Sequence, residues 1–134
     1  MTDKQVHVAV GVIERNGHIF LTRRAAHQHQ GNKWEFPGGK CEPGETVAQA
    51  LARELSEELA ITVHDCSPLL VVCHDYGDKQ VKLDVHWVRD FDGEPQSQEG
   101  LEGRWVLASV LPDYDFPAAN VAIVEQVVAQ LLAD

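Results

Sequence analysis

The chain has 134 residues, with 11 Lys or Arg against 21 Asp or Glu, for a formal net charge of −10. That length suits one domain with its own core over residues 1–134, and the acidic balance argues against direct nucleic-acid binding, which depends on clustered Lys and Arg. The three cysteines, Cys41, Cys66 and Cys73, contain no Cys-x-x-Cys pair, which argues against a disulfide framework or zinc site and for a reducing cytoplasmic setting.

Met1–His7 has no apolar core for a signal peptide, and no apolar run approaches bilayer length, so no membrane association is expected. Val6–Glu14 alternates and is rich in Val and Ile, which predicts a strand. Asn16-Gly17 is a hairpin signal, with Ile19–Arg23 as the return strand. Residues 25–33 are polar and carry Gly31, which reads as a loop. Trp34–Phe36 predicts a short strand, followed by a loop through Pro37-Gly38-Gly39.

From Thr46 to Leu59 the period is helical, with Val47, Leu51, Leu55 and Leu59 spaced by four and Glu45-Thr46 supplying an acidic, capping start. Ile61–Val63 and Pro68–His74 read as strand segments, and Tyr76-Gly77-Asp78 as a turn. Val81–Phe91 is a long strand, residues 92–103 a loop, and Arg104–Leu107 a short strand. Pro112–Pro117 reads as irregular and Ala118–Ala133 as a closing amphipathic helix. This order predicts an α/β (α+β) fold, a mixed sheet with helices packed against it.

Glu54, Glu57 and Glu58 stand three and four residues apart on the first of these helices, so their carboxylates share a face. Like charges there destabilise a helix, and a hard divalent cation with oxygen ligands offsets them. Such a cation also reconciles an acidic protein with an anionic phosphate substrate. Arg53 precedes Glu57 by four residues, a spacing that predicts an ion pair orienting that carboxylate. Glu45 reads as a stabiliser of the loop-to-helix junction. The three tryptophans, Trp34, Trp87 and Trp105, read as core or pocket wall.

Gly39, Glu45, Arg53, Glu54, Glu57 and Glu58, with Leu55 and Ile61 in apolar slots, resemble the signature of the Nudix hydrolases. One position departs from it: Ala60 replaces the family's second Gly. Either Ala60 adopts a strained left-handed conformation or the helix ends with a different turn.

The resemblance extends to Thr22–Ala26, Asn32–Lys40, Gly93-Glu94-Pro95 with Glu99-Gly100, and Asp115–Asn120, pieces similar to the branch of the family that hydrolyses oxidised guanine nucleotides. It implies an α/β/α sandwich with a catalytic loop and helix. It implies a Mg²⁺-dependent pyrophosphohydrolase, with Mn²⁺ able to substitute, acting as a monomer on a nucleoside triphosphate, 8-oxo-dGTP first among them. It implies metal ligation by Glu54, Glu57, Glu58, Glu99 and the Gly38 carbonyl, with Arg53 as a catalytic positioning group. It also implies nucleotide recognition by Arg24, His29, Glu35, Phe36, Pro37, Gly38, Asp78 and Asn120. Lys79 stands where that branch has Arg, so the planar fork of that contact is lost.

Asn120 has a physical case of its own. Oxidation at C8 turns guanine N7 into a donor beside the O6 acceptor, and an Asn amide complements that pair. Its other reading is a helix N-cap. The alternative substrates are CTP or a modified dCTP, and the alternative of another class is a non-catalytic nucleotide-binding module.

Overall fold

The computed structural model describes residues 4–28 and 31–132. Strand β1 (Lys4–Arg15) turns into β2 (His18–Arg23) through Asn16 and Gly17, both at positive φ (54° and 78°), the geometry a two-residue hairpin requires. Next come β3 (Trp34–Glu35), β4 (Gly38–Lys40), helix α1 (Val47–Leu59), β5 (Thr62–Asp75), β6 (Lys79–Asp92) and β7 (Gly103–Leu107). A 3₁₀ turn, Ala108–Asp113, leads to helix α2 (Ala118–Leu131).

The strands form a mixed sheet in the order β3-β2-β1-β6-β5, with β4 also on β1 and β7 also on β2. The β1 and β6 strands run parallel from Lys4↔Lys79 to Ile13↔Val88, and the other pairs are antiparallel. Alternation along β1 sends Ala9 and Ile13 to one face and Val10 and Val12 to the other. Leu51, Leu55 and Leu59 of α1 cover the first face, and Ile123, Val124 and Val127 of α2 cover the second. This is the expected α/β/α sandwich. Among the described residues no helix is long and apolar enough to cross a membrane.

Three sequence expectations need correction. Gly38–Lys40 is a strand and not a loop, because Val8–Val10 of β1 offers it a ladder that needs no intrinsic propensity. The two segments Ile61–Val63 and Pro68–His74 are one strand, β5. Register shifts at Val63/Asp65, Asp65/Ser67 and Pro68/Leu70 absorb the irregularity, and β5 is an edge, where Pro is tolerated. Part of the irregular Pro112–Pro117 segment belongs to the 3₁₀ turn. Ala133, expected in the last helix, lies outside the described residues.

Candidate active site

Helix α1 is closed at its start by a capping box: Thr46 Oγ1 accepts from Gln49 N–H at 3.1 Å, and the Gln49 side chain returns to Thr46 N–H at 2.9 Å. At its other end Ala60 adopts φ 59°, ψ 31°, its N–H donating to Ser56 O. This is the strained left-handed ending. Between these ends the helix holds the carboxylates.

The glycine pair of β4 lets the strand approach both its neighbours. A Cβ on Gly38 would overlap the Ala9 carbonyl and Val10 Cα, and a Cβ on Gly39 would overlap the Glu54 carboxylate. The helix and β4 therefore meet carboxylate to backbone.

Arg53 grips the other side. Its Nε donates to Glu45 Oε2 at 2.8 Å and its Nη2 to Glu45 Oε1 at 2.9 Å and Lys40 O at 3.1 Å. Its Nη1 donates to Glu54 Oε1 at 2.8 Å. The Arg53–Glu57 ion pair expected from the spacing is present, but it is the longer of these contacts. Glu57 is 3.7 Å away and its side chain 63 % exposed. The loop brings Glu45 back beside the helix, and a two-pronged guanidinium–carboxylate pair outcompetes an i,i+4 contact. The hydrogen bonds from Arg53, and then the Glu42 N–H, hold the Glu45 carboxyl down to about 2.

Glu58 is in the opposite situation. Burial, a hydrogen bond with Glu54 and the charges of Glu54, Glu99 and Glu35 push its carboxyl up to about 9. Glu35 is also raised, by burial, against the pull of Arg24, whose Nη1 donates to it at 2.7 Å. Among the described residues no three His, Cys, Asp or Glu side chains are already drawn around one point that could hold an ion. Instead, Glu54 and Glu58 share a hydrogen bond, as crowded carboxylates do when one retains its proton. The donor chemistry nevertheless fits a hard cation: carboxylate oxygens and an adjacent backbone carbonyl, with more negative charge than the protein neutralises.

Two clefts meet here. One, of about 680 Å³ including its mouth, is walled by Arg24, Glu35, Phe36, Gly38, Tyr76, Leu83 and Asn120, with Val8 and Val10 at its floor. The other is lined by Arg24, Glu35, Gly38, Gly39, Lys40, Glu58 and Glu99. Arg24, Glu35 and Gly38 belong to both, so the cleft that bears Asn120 adjoins the acidic one.

Asn120 occupies the first turn of α2, but Pro117 holds the N-cap position, so the capping reading of Asn120 is overturned. Pro37 lines neither cleft, and its carbonyl accepts from Gly11 N–H at 2.8 Å. Asp78 and Lys79 line a third hollow, which shares Arg24 and Tyr76 with the first cleft. His29 lies outside the described residues. Sequence reasoning missed Tyr76 and Leu83 as wall residues. Leu83 was legible as one face of an alternating strand, whereas Tyr76 stood in a turn with nothing to mark it. Trp34, Trp87 and Trp105 line neither cleft.

The chain matches the NUDIX domain family over residues 8–126. It belongs to the Nudix hydrolases. This Nudix chain is 43 % identical over 129 residues to an Escherichia coli K12 protein named 8-oxo-dGTP diphosphatase, covering 96 % of this chain and 97 % of that one. It is 33 % identical to a CTP pyrophosphohydrolase of the same organism, covering 94 % and 93 %. A solved structure from work on MutT of Aliivibrio salmonicida and Vibrio cholerae superposes with a TM-score of 0.81 at 39 % identity, covering 93 % of this chain and 97 % of that one. As Nudix hydrolases generally need a divalent metal, the family and the donor chemistry of the acidic cleft agree.

Proposed function

We propose that this chain, acting as a single Nudix domain, hydrolyses 8-oxo-dGTP to 8-oxo-dGMP and pyrophosphate with Mg²⁺, removing an oxidised nucleotide from the precursors of DNA. Water attacks the β-phosphorus, and the bond from that phosphorus to the α–β bridging oxygen breaks. The observation that carries this reading is Asn120, freed from capping and half-buried on the wall of the cleft that adjoins, at Arg24, Glu35 and Gly38, the one lined by Glu58 and Glu99. A base held against Asn120 sends its triphosphate toward the carboxylates.

Glu54, Glu57, Glu58, Glu99 and the Gly38 carbonyl would hold the ion. Bound there, it neutralises phosphoryl oxygens and acidifies a water. Arg53 keeps Glu54 aimed, and the Gly39 backbone sets how closely β4 approaches that carboxylate. Arg24 is the cation at the junction, where a polyphosphate passes from one cleft to the other.

The Asn120 side-chain oxygen accepts from N7–H of the oxidised base while its amide donates to O6, and plain guanine leaves that oxygen facing a lone pair. The relatives named 8-oxo-dGTP diphosphatase support this substrate, and the CTP pyrophosphohydrolase relative supports a cytosine nucleotide less strongly. The intact signature carboxylates Glu45, Glu54, Glu57 and Glu58 support an enzyme over a binding module. Asn120→Ala tests the base assignment. It should raise KM for 8-oxo-dGTP far more than for dGTP, narrowing their ratio by about 1–3 kcal/mol. Equal losses on both nucleotides would remove Asn120 from base recognition.

A further inference from the structure

The loop that carries Glu99 leaves β6 at Asp92 and reaches β7 at Gly103. Its root is held by a convergence on Glu94. Glu94 Oε1 accepts from Arg15 Nη1 at 2.8 Å and its Oε2 from Trp105 Nε1 at 2.9 Å. Arg15 also donates to Gly93 O at 3.4 Å, and its guanidinium lies 5.0 Å from the Phe91 ring centre and 5.2 Å from that of Trp105. Trp105 in turn sits edge-on to buried Phe20, the ring centres 5.4 Å apart. The donors come from β1, the neighbour of β6, and from β7, so one carboxylate ties the loop root to two strands.

Farther along, the loop is laid against the end of α1. Gln96 N–H donates to Leu59 O at 3.0 Å, and Gln98 N–H donates to Glu58 O at 2.8 Å. These are carbonyls that a helix end leaves without an internal partner. Pro95, between the two anchors, is buried. Glu99 therefore follows directly on a residue bonded to the backbone of Glu58, whose own side chain lines the same cleft.

We propose that Glu94, held by Trp105 and Arg15, is a positioning residue for hydrolysis: it fixes the loop root so that Glu99 is delivered beside Glu58. A 67 %-exposed carboxylate in a single surface ion pair would contribute little to anything. Here two donors from different strands, one of them a half-buried indole, meet on its two oxygens. The inference rests on the placement of Glu99 in the metal-holding set proposed above.

A double-mutant cycle between positions 94 and 99 tests it, with thermal melts to confirm folding. Glu94→Ala and Trp105→Phe should each lower kcat about 10-fold, the lower end of the range for groups that orient a metal site from outside it. The Mg²⁺ concentration for half-maximal rate should rise while KM for the nucleotide changes little. Glu94→Gln, whose amide oxygen still accepts from Trp105, should keep most of the rate. In a Glu99→Gln background, Glu94→Ala should cost nothing further, because its effect passes through Glu99. An equal loss in both backgrounds, or near-native kcat in Glu94→Ala, overturns the proposal while leaving Glu99 in the site. Near-native kcat in Glu99→Gln alone removes Glu99 from the site and the proposal with it.

Discussion

The backbone of Gly39 lies so close against the Glu54 carboxylate that no side chain fits between them. The obstacle at Gly39 is the far end of a flexible side chain, whereas at Gly38 it is the backbone of β1. The two neighbouring glycines should therefore fail differently. Gly39→Ala should fold with little change in Tm and lose at least ~10-fold in kcat, since Glu54 must swing away. Gly38→Ala should instead lower Tm or prevent folding. A Gly39→Ala protein with native kcat would show that the position of Glu54 does not matter to turnover.

Glu54→Gln, Glu57→Gln and Glu58→Gln should each reduce kcat by at least ~10², the scale for losing a catalytic or metal-positioning group. Glu45→Gln should cost less, because it acts on Glu54 only through Arg53. Steady-state rates at saturating Mg²⁺ check the order. Near-native turnover in all three variants would dismiss the carboxylate face as the site.

The shape of α1 was legible in the sequence because its Leu residues repeat every four positions, and the chain obeyed that period to Leu59. The strand β4 was not, because a pair of glycines carries no strand propensity and the ladder comes from β1. Likewise the continuity of β5 was hidden by Pro68, which only an edge strand accepts. Glu54, Glu57 and Glu58 were legible from spacing, whereas Glu99 came only through the family resemblance. The closer partner of Arg53 was not legible, because Glu45 returns to the helix through a loop whose course no periodicity reports. Glu94 stood out only within the Gly93-Glu94-Pro95 resemblance; its role was hidden, because its two donors lie 79 and 11 residues away.

Ala60 is left-handed and exposed, with φ at 59°. A Cβ in that conformation costs roughly 1 kcal/mol or more. Ala60→Gly removes that cost and adds some unfolded-state entropy, for a net gain of about 0.5–1 kcal/mol. The melting temperature should rise by a few degrees with kcat unchanged. A clear downward shift would contradict the strain.

The Glu58 carboxyl is pushed up to about 9 by burial and by its acidic neighbours. A carboxyl raised above its unfolded value of 4.5 favours the folded state at low pH. That contribution is full below about 4.5 and is lost as pH rises from there to about 9, so the metal-free protein should lose stability over this window. A cation needs the deprotonated form, so Mg²⁺ binding at pH 7 should release about one proton and tighten with pH. Calorimetry in buffers of different ionisation enthalpy measures the count. Release of no proton would place the ion away from Glu58.

Selection of the oxidised purine by this pocket is measured with a nucleotide panel and pyrophosphate readout. The predicted result is kcat/KM for 8-oxo-dGTP at least ~10⁴ above that for dGTP, the scale set by unpaired polar groups in a dry site, and well above that for CTP. Comparable values for 8-oxo-dGTP and dGTP, or a higher value for CTP, would contradict it.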